Sequence, residues 1–321
     1  MHLLNRLSIL FIYLFIYLFL IGCSEGPIST VPLAKQGLLS ADLSIDGSKA
    51  LIGSIHHGGS FWDLESKERL FNWNHQSGKM SSLRAVAISK NGQRAVTSEE
   101  DTLVLWDTNT GEYKQFWQAD DRILSIALND KGDRALMGLR DGTVSYFDLD
   151  RGNVIYDFKH LAEVRRVSLS KDGFTGMSAS DDKTVKVLDL KEGKEIQSKT
   201  LNNQIKMIAI SDSGSTAFAT AQREDSIIWD IASDETLYKK YNRVVNFAAA
   251  DFSEDEQYLS LGTFSGSIIR LEIKTGIEVN KWQAEPRQAY GSATSKAIMS
   301  IVDHNKSIYA LTSDGMFEVF K

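Results

Sequence analysis

A unit of about 41 residues repeats along this chain and limits what it can fold into. Each unit closes on an aromatic residue or Leu, usually followed by an acid. The seven copies are Trp62-Asp63, Trp106-Asp107, Phe147-Asp148, Leu188-Asp189, Trp229-Asp230, Leu271-Glu272 and Phe320-Lys321. Because a unit of a few short strands cannot bury its own faces, the repeat predicts one closed ring of seven blades.

The unit at residues 171–190 shows how each blade is built. Gly173 tolerates positive φ and predicts a tight turn, and residues 184–188 alternate polar and apolar side chains, as a half-buried strand does. The sequence therefore predicts an all-β fold with four strands in each repeat. In the second repeat the predicted strands are Leu83–Ser89, Ala95–Ser98, Leu103–Asp107 and Glu112–Gln118.

The seventh repeat ends after its third strand. Residues 29–36 precede the first repeat and are predicted to supply the missing fourth strand, which closes the ring and leaves no free sheet edge. The predicted ring spans residues 31–321. The fourth strands carry Trp73, Trp117 and Trp282, which we expect to pack between blades.

The first 22 residues do not fit the repeat. Arg6 precedes an apolar run that ends at Gly22-Cys23, and this pattern resembles a bacterial lipoprotein signal peptide. The resemblance implies cleavage between Gly22 and Cys23, lipid on Cys23 and a tether over residues 23–30. The apolar run is also long enough to approach a membrane span, so an uncleaved anchor is the alternative.

The repeats resemble those of the WD-repeat β-propeller family, through the turn Gly, the phrase SASDDKTVKVLD and Trp-Asp at three of seven positions. In that family a His, a Ser or Thr, a turn Asp and the Trp form a hydrogen-bonded tetrad in each blade. The nearest matches to the His are His75 and His160, and no repeat has the full set. The segment 141–158 also resembles quinoprotein-type propellers, which remain the alternative.

The composition limits the function classes. The net charge is −6, which argues against a nucleic-acid partner because phosphate contacts need a positive face. No catalytic set, phosphate-binding loop or cofactor motif is present, and a metal site is not predicted. His56-His57 is more simply a polar turn than a pair of metal ligands, which would need further ligands from other blades.

The resemblance to the WD family implies that binding residues lie on the face that carries the connections between blades, called the upper face below. Counting from the turn Gly and the turn acid places a largely basic set there. Its members are Arg84, Arg122, Arg140, Arg165, Lys206, Phe264 and Lys296. Such a face suits a protein partner or an anionic glycan.

The sequence thus favours a monomeric, non-catalytic protein-binding or scaffold module in the bacterial envelope. The lipoprotein resemblance implies attachment to the outer membrane on its periplasmic side, or less favourably to the inner membrane. The tether is expected to leave the lower rim of the seventh blade and to keep the upper face away from the bilayer. The alternatives are a quinoprotein-like or hydrolytic propeller enzyme and a glycan-binding propeller.

Overall fold

A computed structural model of the protein describes residues 24–35, 37–54, 58–75, 81–241, 245–285 and 296–321. All regular structure in these ranges is β, and 28 strands form seven antiparallel four-stranded sheets. Each sheet is one blade, and its first strand lines the axis of the ring. The prediction of an all-β, seven-bladed propeller is confirmed.

The strands follow the repeats in chain order. β1 (Ser29–Pro32) comes first and is separate from the rest. Blades 1 and 2 contain β2 (Leu38–Leu43), β3 (Lys49–Ser54), β4 (Gly58–Asp63), β5 (Glu68–Trp73), β6 (Ala85–Ile88), β7 (Arg94–Glu99), β8 (Thr102–Asp107) and β9 (Tyr113–Gln118). Blades 3 and 4 contain β10 (Ile123–Leu128), β11 (Arg134–Leu139), β12 (Thr143–Asp148), β13 (Asn153–Lys159), β14 (Val164–Leu169), β15 (Thr175–Ser180), β16 (Thr184–Asp189) and β17 (Lys194–Thr200).

The last three blades complete the ring. They contain β18 (Ile205–Ile210), β19 (Thr216–Ala221), β20 (Asp225–Asp230), β21 (Thr236–Tyr241), β22 (Phe247–Phe252), β23 (Tyr258–Thr263), β24 (Ser267–Glu272), β25 (Glu278–Gln283), β26 (Ile298–His304), β27 (Ser307–Thr312) and β28 (Met316–Phe320). Successive strands of a blade run in opposite directions. The turns between second and third strands therefore lie at the upper face with the connections between blades, and the other turns lie at the lower face.

The turn between the first two strands of each blade needs a left-handed residue. In blade 4 this is Gly173, with φ +81°, and a Cβ there would lie 3.0 Å from the Cβ of Asn129 in the neighbouring blade. Blade 6 has Glu256 at this place, with φ +53°, and its carboxylate accepts hydrogen bonds from the backbone N and Oγ of Ser213. Contacts with the preceding blade thus accompany the left-handed backbone at these turns.

The predicted packing of tryptophans between blades is confirmed. Trp73 is 2% exposed, stacks on Trp106 of blade 2 with 4.9 Å between ring centroids, and donates Nε1–H to Gly111 O at 3.0 Å. Trp117 contacts Phe147 of blade 3 edge to face at 5.3 Å. These rings carry the apolar core from one blade into the next.

Ring closure is also confirmed. β1 pairs with β28 in antiparallel register, with Ser29 opposite Val319 and Pro32 opposite Met316. The closing strand buries Val31, which is 8% exposed. Blade 7 therefore receives its outer strand from the start of the chain and its other three from the end.

The segment before β1 is held by a second blade. Glu25 forms a parallel bridge with Trp282, and Gln283 N–H donates to Glu25 O at 3.0 Å. The chain therefore meets the ring at the outer strand of blade 6, one blade before the expected point of departure. The end of β25 lies beside the end of β28, because Trp282 Nε1–H donates to Lys321 O at 3.0 Å, and the segment before β1 can therefore reach both blades.

Candidate partner-binding face and central channel

Six of the seven side chains predicted for partner binding lie at the upper end of the ring. They come from upper ends of inner strands, from connections between blades and from turns between second and third strands. The six are Arg84, Arg122, Arg140, Arg165, Lys206 and Phe264. Ion pairs and hydrogen bonds join most of the cations into networks that cross from one blade to the next.

Glu100 joins two of the predicted arginines. Its Oε1 lies 3.4 Å from Arg84 Nε, and its Oε2 pairs with Nη2 of Arg122 in the connection to blade 3. The backbone of Glu100 has φ +55°, a left-handed conformation that costs a non-glycine residue roughly 1–2 kcal/mol. The carboxylate thus stands where Gly would be less strained, and it bridges cations of two blades.

A second network extends over blades 4 and 5. Arg165 Nε lies 2.9 Å from Asp181 Oδ2, and its Nη2 lies 2.5 Å from Glu163 Oε2. Gln204 Nε2 donates to Asp181 Oδ1 at 3.1 Å, and Lys206 Nζ donates to Gln204 Oε1 at 2.6 Å. The pairing within this group is not evident from the sequence, because its members come from separate connections, turns and strands.

The upper face is therefore mixed in charge, and the expectation of a basic face needs correction. Arg140 is paired as well, with its Nη2 2.9 Å from Asp121 Oδ1. Counting from the turn Gly finds the arginines but does not show which carboxylates of neighbouring turns and connections pair with them. The arginine side chains nevertheless keep substantial exposure, 48% for Arg84 and 45% for Arg165, so both signs of charge are presented to solvent.

Lys296 does not belong to this face. It is 4% exposed, and its Nζ lies 3.3 Å from Glu318 Oε1 and 3.5 Å from Asp314 Oδ2 inside blade 7. Burial raises the pKa of Glu318, and the Lys296 ammonium opposes that shift. The expectation that Lys296 would meet a partner does not fit this position, because a buried ion pair holds its charge within the blade.

Two apolar side chains complete the upper face. Phe264 is 47% exposed and lies at the mouth of the central channel. Leu161 is 96% exposed in the connection between blades 3 and 4, and sequence reasoning did not select it. Its one signal is its position directly after His160, which is buried.

The two histidines that resemble the family's His form partial tetrads. In blade 4, His160 Nε2 lies 2.8 Å from Ser178 Oγ and its Nδ1 lies 3.3 Å from Asp182 Oδ2, while Leu188 stands in place of the Trp. Burial lowers the pKa of His160. Although burial alone would raise it, hydrogen bonds from Thr184 and from Leu161 N hold the pKa of Asp182 below its usual range.

Blade 2 has the complementary set. Trp106 Nε1–H donates to Thr97 Oγ1 at 2.8 Å, and Thr97 Oγ1 lies 2.9 Å from His75 Nε2. Among the described residues His75 Nδ1 has no hydrogen-bond partner, so the acid is the missing member. Each of these two blades thus has three of the four residues of the tetrad, in agreement with the prediction that neither has the full set.

Several predicted positions lie outside the described residues. These are Gly22, Cys23, His56 and His57. In the ranges that the structure describes, no helix is long and apolar enough to cross a membrane. The same ranges contain no group of three or more His, Cys, Asp or Glu side chains arranged to hold a metal ion.

The central channel has a volume of about 460 Å³ and contains two carboxylates that sequence reasoning missed. Asp42 Oδ2 accepts the N–H of Ile88 at 2.8 Å, and Asp251 Oδ2 accepts the N–H of Asp303 at 3.0 Å. Each hydrogen bond links the inner strand of one blade to that of the next. Burial raises the pKa of Asp42 to about 6 and that of Asp251 to about 7, against the opposing effect of these N–H donors.

Serine side chains also link neighbouring inner strands elsewhere in the ring. Ser125 Oγ accepts the N–H of Val167 at 3.1 Å, and Ser168 Oγ accepts the N–H of Ile210 at 3.2 Å. Asp42 and Asp251 therefore connect neighbouring inner strands through hydrogen bonds.

Asp251→Asn is expected to stabilise the protein above neutral pH. A carboxyl whose folded pKa is raised contributes stability that is present below its unfolded pKa of about 4 and is lost as pH rises through about 7. Asn keeps the acceptor for Asp303 N–H and carries no charge. The gain at pH 8 should be on the order of 1–2 kcal/mol, with no gain at pH 4, measured by urea unfolding.

Comparison with the parent at each pH isolates this carboxyl. His75 and His160 titrate in the opposite sense, because their lowered pKa values remove stability as pH falls below about 6.5. Those effects are common to parent and variant. Lys90, Asp212 and Asp303 are the charged groups that act on Asp251, and they too are unchanged. Equal stability of the two proteins at pH 8 would contradict a charged, destabilising Asp251.

The closed ring of seven four-stranded blades, with partial His–Ser/Thr networks in two of them, defines a WD40-like β-propeller. No protein-family model matches the chain. The chain is similar to Autophagy-related protein 16 of Arabidopsis thaliana, with 28% identity over 119 residues, which is 35% of this chain and 23% of that protein. The fold and this limited similarity support a protein-interaction module in general.

Proposed function

We propose that the protein is a lipid-anchored, non-catalytic scaffold that binds another protein of the bacterial envelope through its upper face. The observation that carries the proposal is the mixed-charge network over blades 2 to 5, in which Glu100 and Asp181 hold arginines that stay about half exposed. Pre-positioned charges of both signs favour a protein partner with complementary charges over a purely anionic one.

The proposed partner surface combines these charges with apolar side chains. Leu161 and Phe264 extend from the same face, at 96% and 47% exposure. Interfaces of this kind place apolar anchors among arginines, and the arginines supply orientation as well as affinity. A partner that carries an apolar segment flanked by acidic and basic residues would fit.

The proposed anchor rests on the sequence before the ring. The apolar run ending at Gly22-Cys23 is typical of a lipoprotein signal, and a lipid on Cys23 would hold the mature protein at the outer membrane. Glu25 is bound to blade 6, so the lipid would sit two residues from the ring. At most about 7 Å of chain separates the two, which would hold the ring by its rim close to the bilayer.

Reversing the charges of Arg84 and Arg165 together should weaken partner capture about tenfold, since each reversal replaces attraction with repulsion at the interface. The measurement is quantitative crosslinking of the protein in intact envelopes, followed by identification of captured proteins. Arg151→Glu is the matched control, because Arg151 is 81% exposed on a lower-face turn. Mass spectrometry of the membrane-bound protein should find a chain that begins at a lipid-modified Cys23.

The two parts of the proposal fail separately. Unchanged capture by the double variant would remove the upper face as the binding surface. A membrane-bound protein that still begins at Met1 would show an uncleaved apolar anchor in place of lipid. Protection of Arg84 and Arg165 from solvent labelling by vesicles alone would show that the upper face meets the membrane.

A further inference from the structure

The wall of the central channel contains a cation, Arg166, that has no anionic partner among the described residues. Arg166 is the third residue of β14, half-buried in the channel wall. Its one hydrogen bond within the described residues runs from Nη1 to Arg165 O at 3.2 Å. Burial lowers the pKa of the Arg166 guanidinium and neighbouring Arg165 lowers it further, and no carboxylate opposes either effect. Withdrawing a charge from water without a counter-charge is unfavourable, so the position of Arg166 calls for an explanation.

Two adjacent arginines at the start of β14 have different surroundings. Arg165 meets Glu163 and Asp181 at the upper face, whereas Arg166 lines the channel. Successive side chains of a strand point to opposite sides, so β14 presents one guanidinium to each. The pairing of β14 with β15 also shifts between Val164 and Arg166.

Hydrogen-bond donors lie near Arg166, one on the inner strand of blade 3 and one on its own strand, β14. Ser125 on blade 3 and Ser168 on blade 4 each line the channel, and each uses its oxygen to accept a backbone N–H. A hydroxyl that accepts through a lone pair still has its own proton to donate. Together with Arg166, these two hydroxyls form a donor set on one side of the channel.

The rest of the channel limits what can enter and from where. Lys90 of blade 2 forms an ion pair with Asp212 of blade 5, which crosses the lower end between nearly opposite blades. The upper end is lined by Arg84 and Phe264. A ligand would therefore enter from the upper face, and the channel volume of about 460 Å³ falls in the range of small-molecule sites, roughly 300–1,000 Å³.

We propose that the channel binds a small organic anion, whose carboxylate, phosphate or sulfate group pairs with Arg166 and accepts hydrogen bonds from Ser125 and Ser168. The apolar part of the ligand would lie against Met207 and Phe264, which share the channel wall. Asp42 and Asp251 line the wall on blades 1 and 6, and they would repel a second anionic group there. The channel shares Phe264 and its mouth with the proposed partner-binding face, but the anion-binding residues Arg166, Ser125 and Ser168 are not part of that face.

The test uses isothermal titration of the chain from residue 24 to 321 with sodium phosphate, sulfate, acetate, benzoate and phenyl phosphate, and with benzyl alcohol as the neutral control. At least one anion is expected to bind saturably at a single site, and the arms distinguish carboxylate from phosphate or sulfate chemistry. Arg166→Gln should weaken that binding at least about tenfold, the equivalent of 1.4 kcal/mol. Arg151→Gln should leave it unchanged.

A thermal melt without added anion separates a ligand site from a structural role. Because Arg166 carries an uncompensated charge, Arg166→Gln is expected to melt at the same temperature as the parent or higher, while losing the anion-dependent rise in melting temperature. A variant that melts well below the parent would show that Arg166 supports the fold. Absence of saturable binding of every anion to the parent, or equal binding to Arg166→Gln, would overturn the proposal.

Discussion

Removing residues 24–32 from the chain that begins at residue 24 is expected to lower the free energy of unfolding by about 3–5 kcal/mol. The deletion takes Val31 out of the core and uncovers Phe317, and each apolar side chain contributes about 1.5–3 kcal/mol when buried. It also leaves β28 as an open edge, which pairs readily with other chains. We expect lower urea midpoints and higher-order species in size-exclusion chromatography.

A permuted chain is the control for this deletion. In the other blades the third strand is followed directly by the fourth, so residues 29–33 can be moved to follow Lys321 through a short turn. The permuted protein has the same strands and the same register of β1 on β28, and it should recover most of the lost stability. A permuted protein as unstable as the deletion would show that the loss does not come from an open ring.

Arg270→Met is expected to cost about 3–5 kcal/mol, because it leaves a buried carboxylate without its counter-charge. Arg270 Nε and Nη2 contact the two carboxylate oxygens of Asp303 at 2.8 and 3.0 Å, and the Asp303 side chain is 1% exposed. The pair joins blade 6 to blade 7. The guanidinium also lies 4.2 Å from the centre of the Tyr258 ring, a contact that the thioether of Met replaces in part.

A double-mutant cycle with Asp303→Asn isolates the charge effect. Asp303→Asn in the Arg270→Met background should recover a large part of the loss, since it removes the uncompensated charge. Burial already raises the pKa of Asp303, and loss of Arg270 removes an opposing influence. The Arg270→Met protein should therefore lose stability as pH rises. A cost below 1 kcal/mol, or a cost independent of pH, would contradict the assigned role of the pair.

The repeat predicts the fold well because blade formation is local. The closing residues at Trp106, Leu188 and Trp229 end third strands where the structure has them, at β8, β16 and β20. The closing role of residues 29–36 followed from counting strands. The limits of the strands are less well predicted. β6 is Ala85–Ile88, shorter than predicted at both ends. At its far end the strand stops because Ser89 begins the turn and accepts Arg94 N–H at its Oγ.

The candidate site is less predictable because it depends on contacts between blades. Counting from the turn Gly located Arg84 and Arg165, but the seventh repeat has no such Gly, and its turn uses Asn305 and Lys306, both at positive φ. The count therefore misplaced Lys296, which lies inside blade 7. The alternation of polar and apolar residues does not show which side chains of an inner strand line the channel, so Arg166 was missed.

The attachment of the amino-terminal segment determines how the protein responds to force. A pull on the residues before Ser24 loads the hydrogen bond between Glu25 and Gln283 first, and then β1 along its length against β28. Force along the strand is shared among the hydrogen bonds between β1 and β28. This pairing therefore resists a pull better than an edge strand that is peeled from its end. When this pairing breaks, blade 7 loses its outer strand, and the other six blades keep all four of their strands. The ring then opens at one place, and β1 can pair with β28 again when the load is removed.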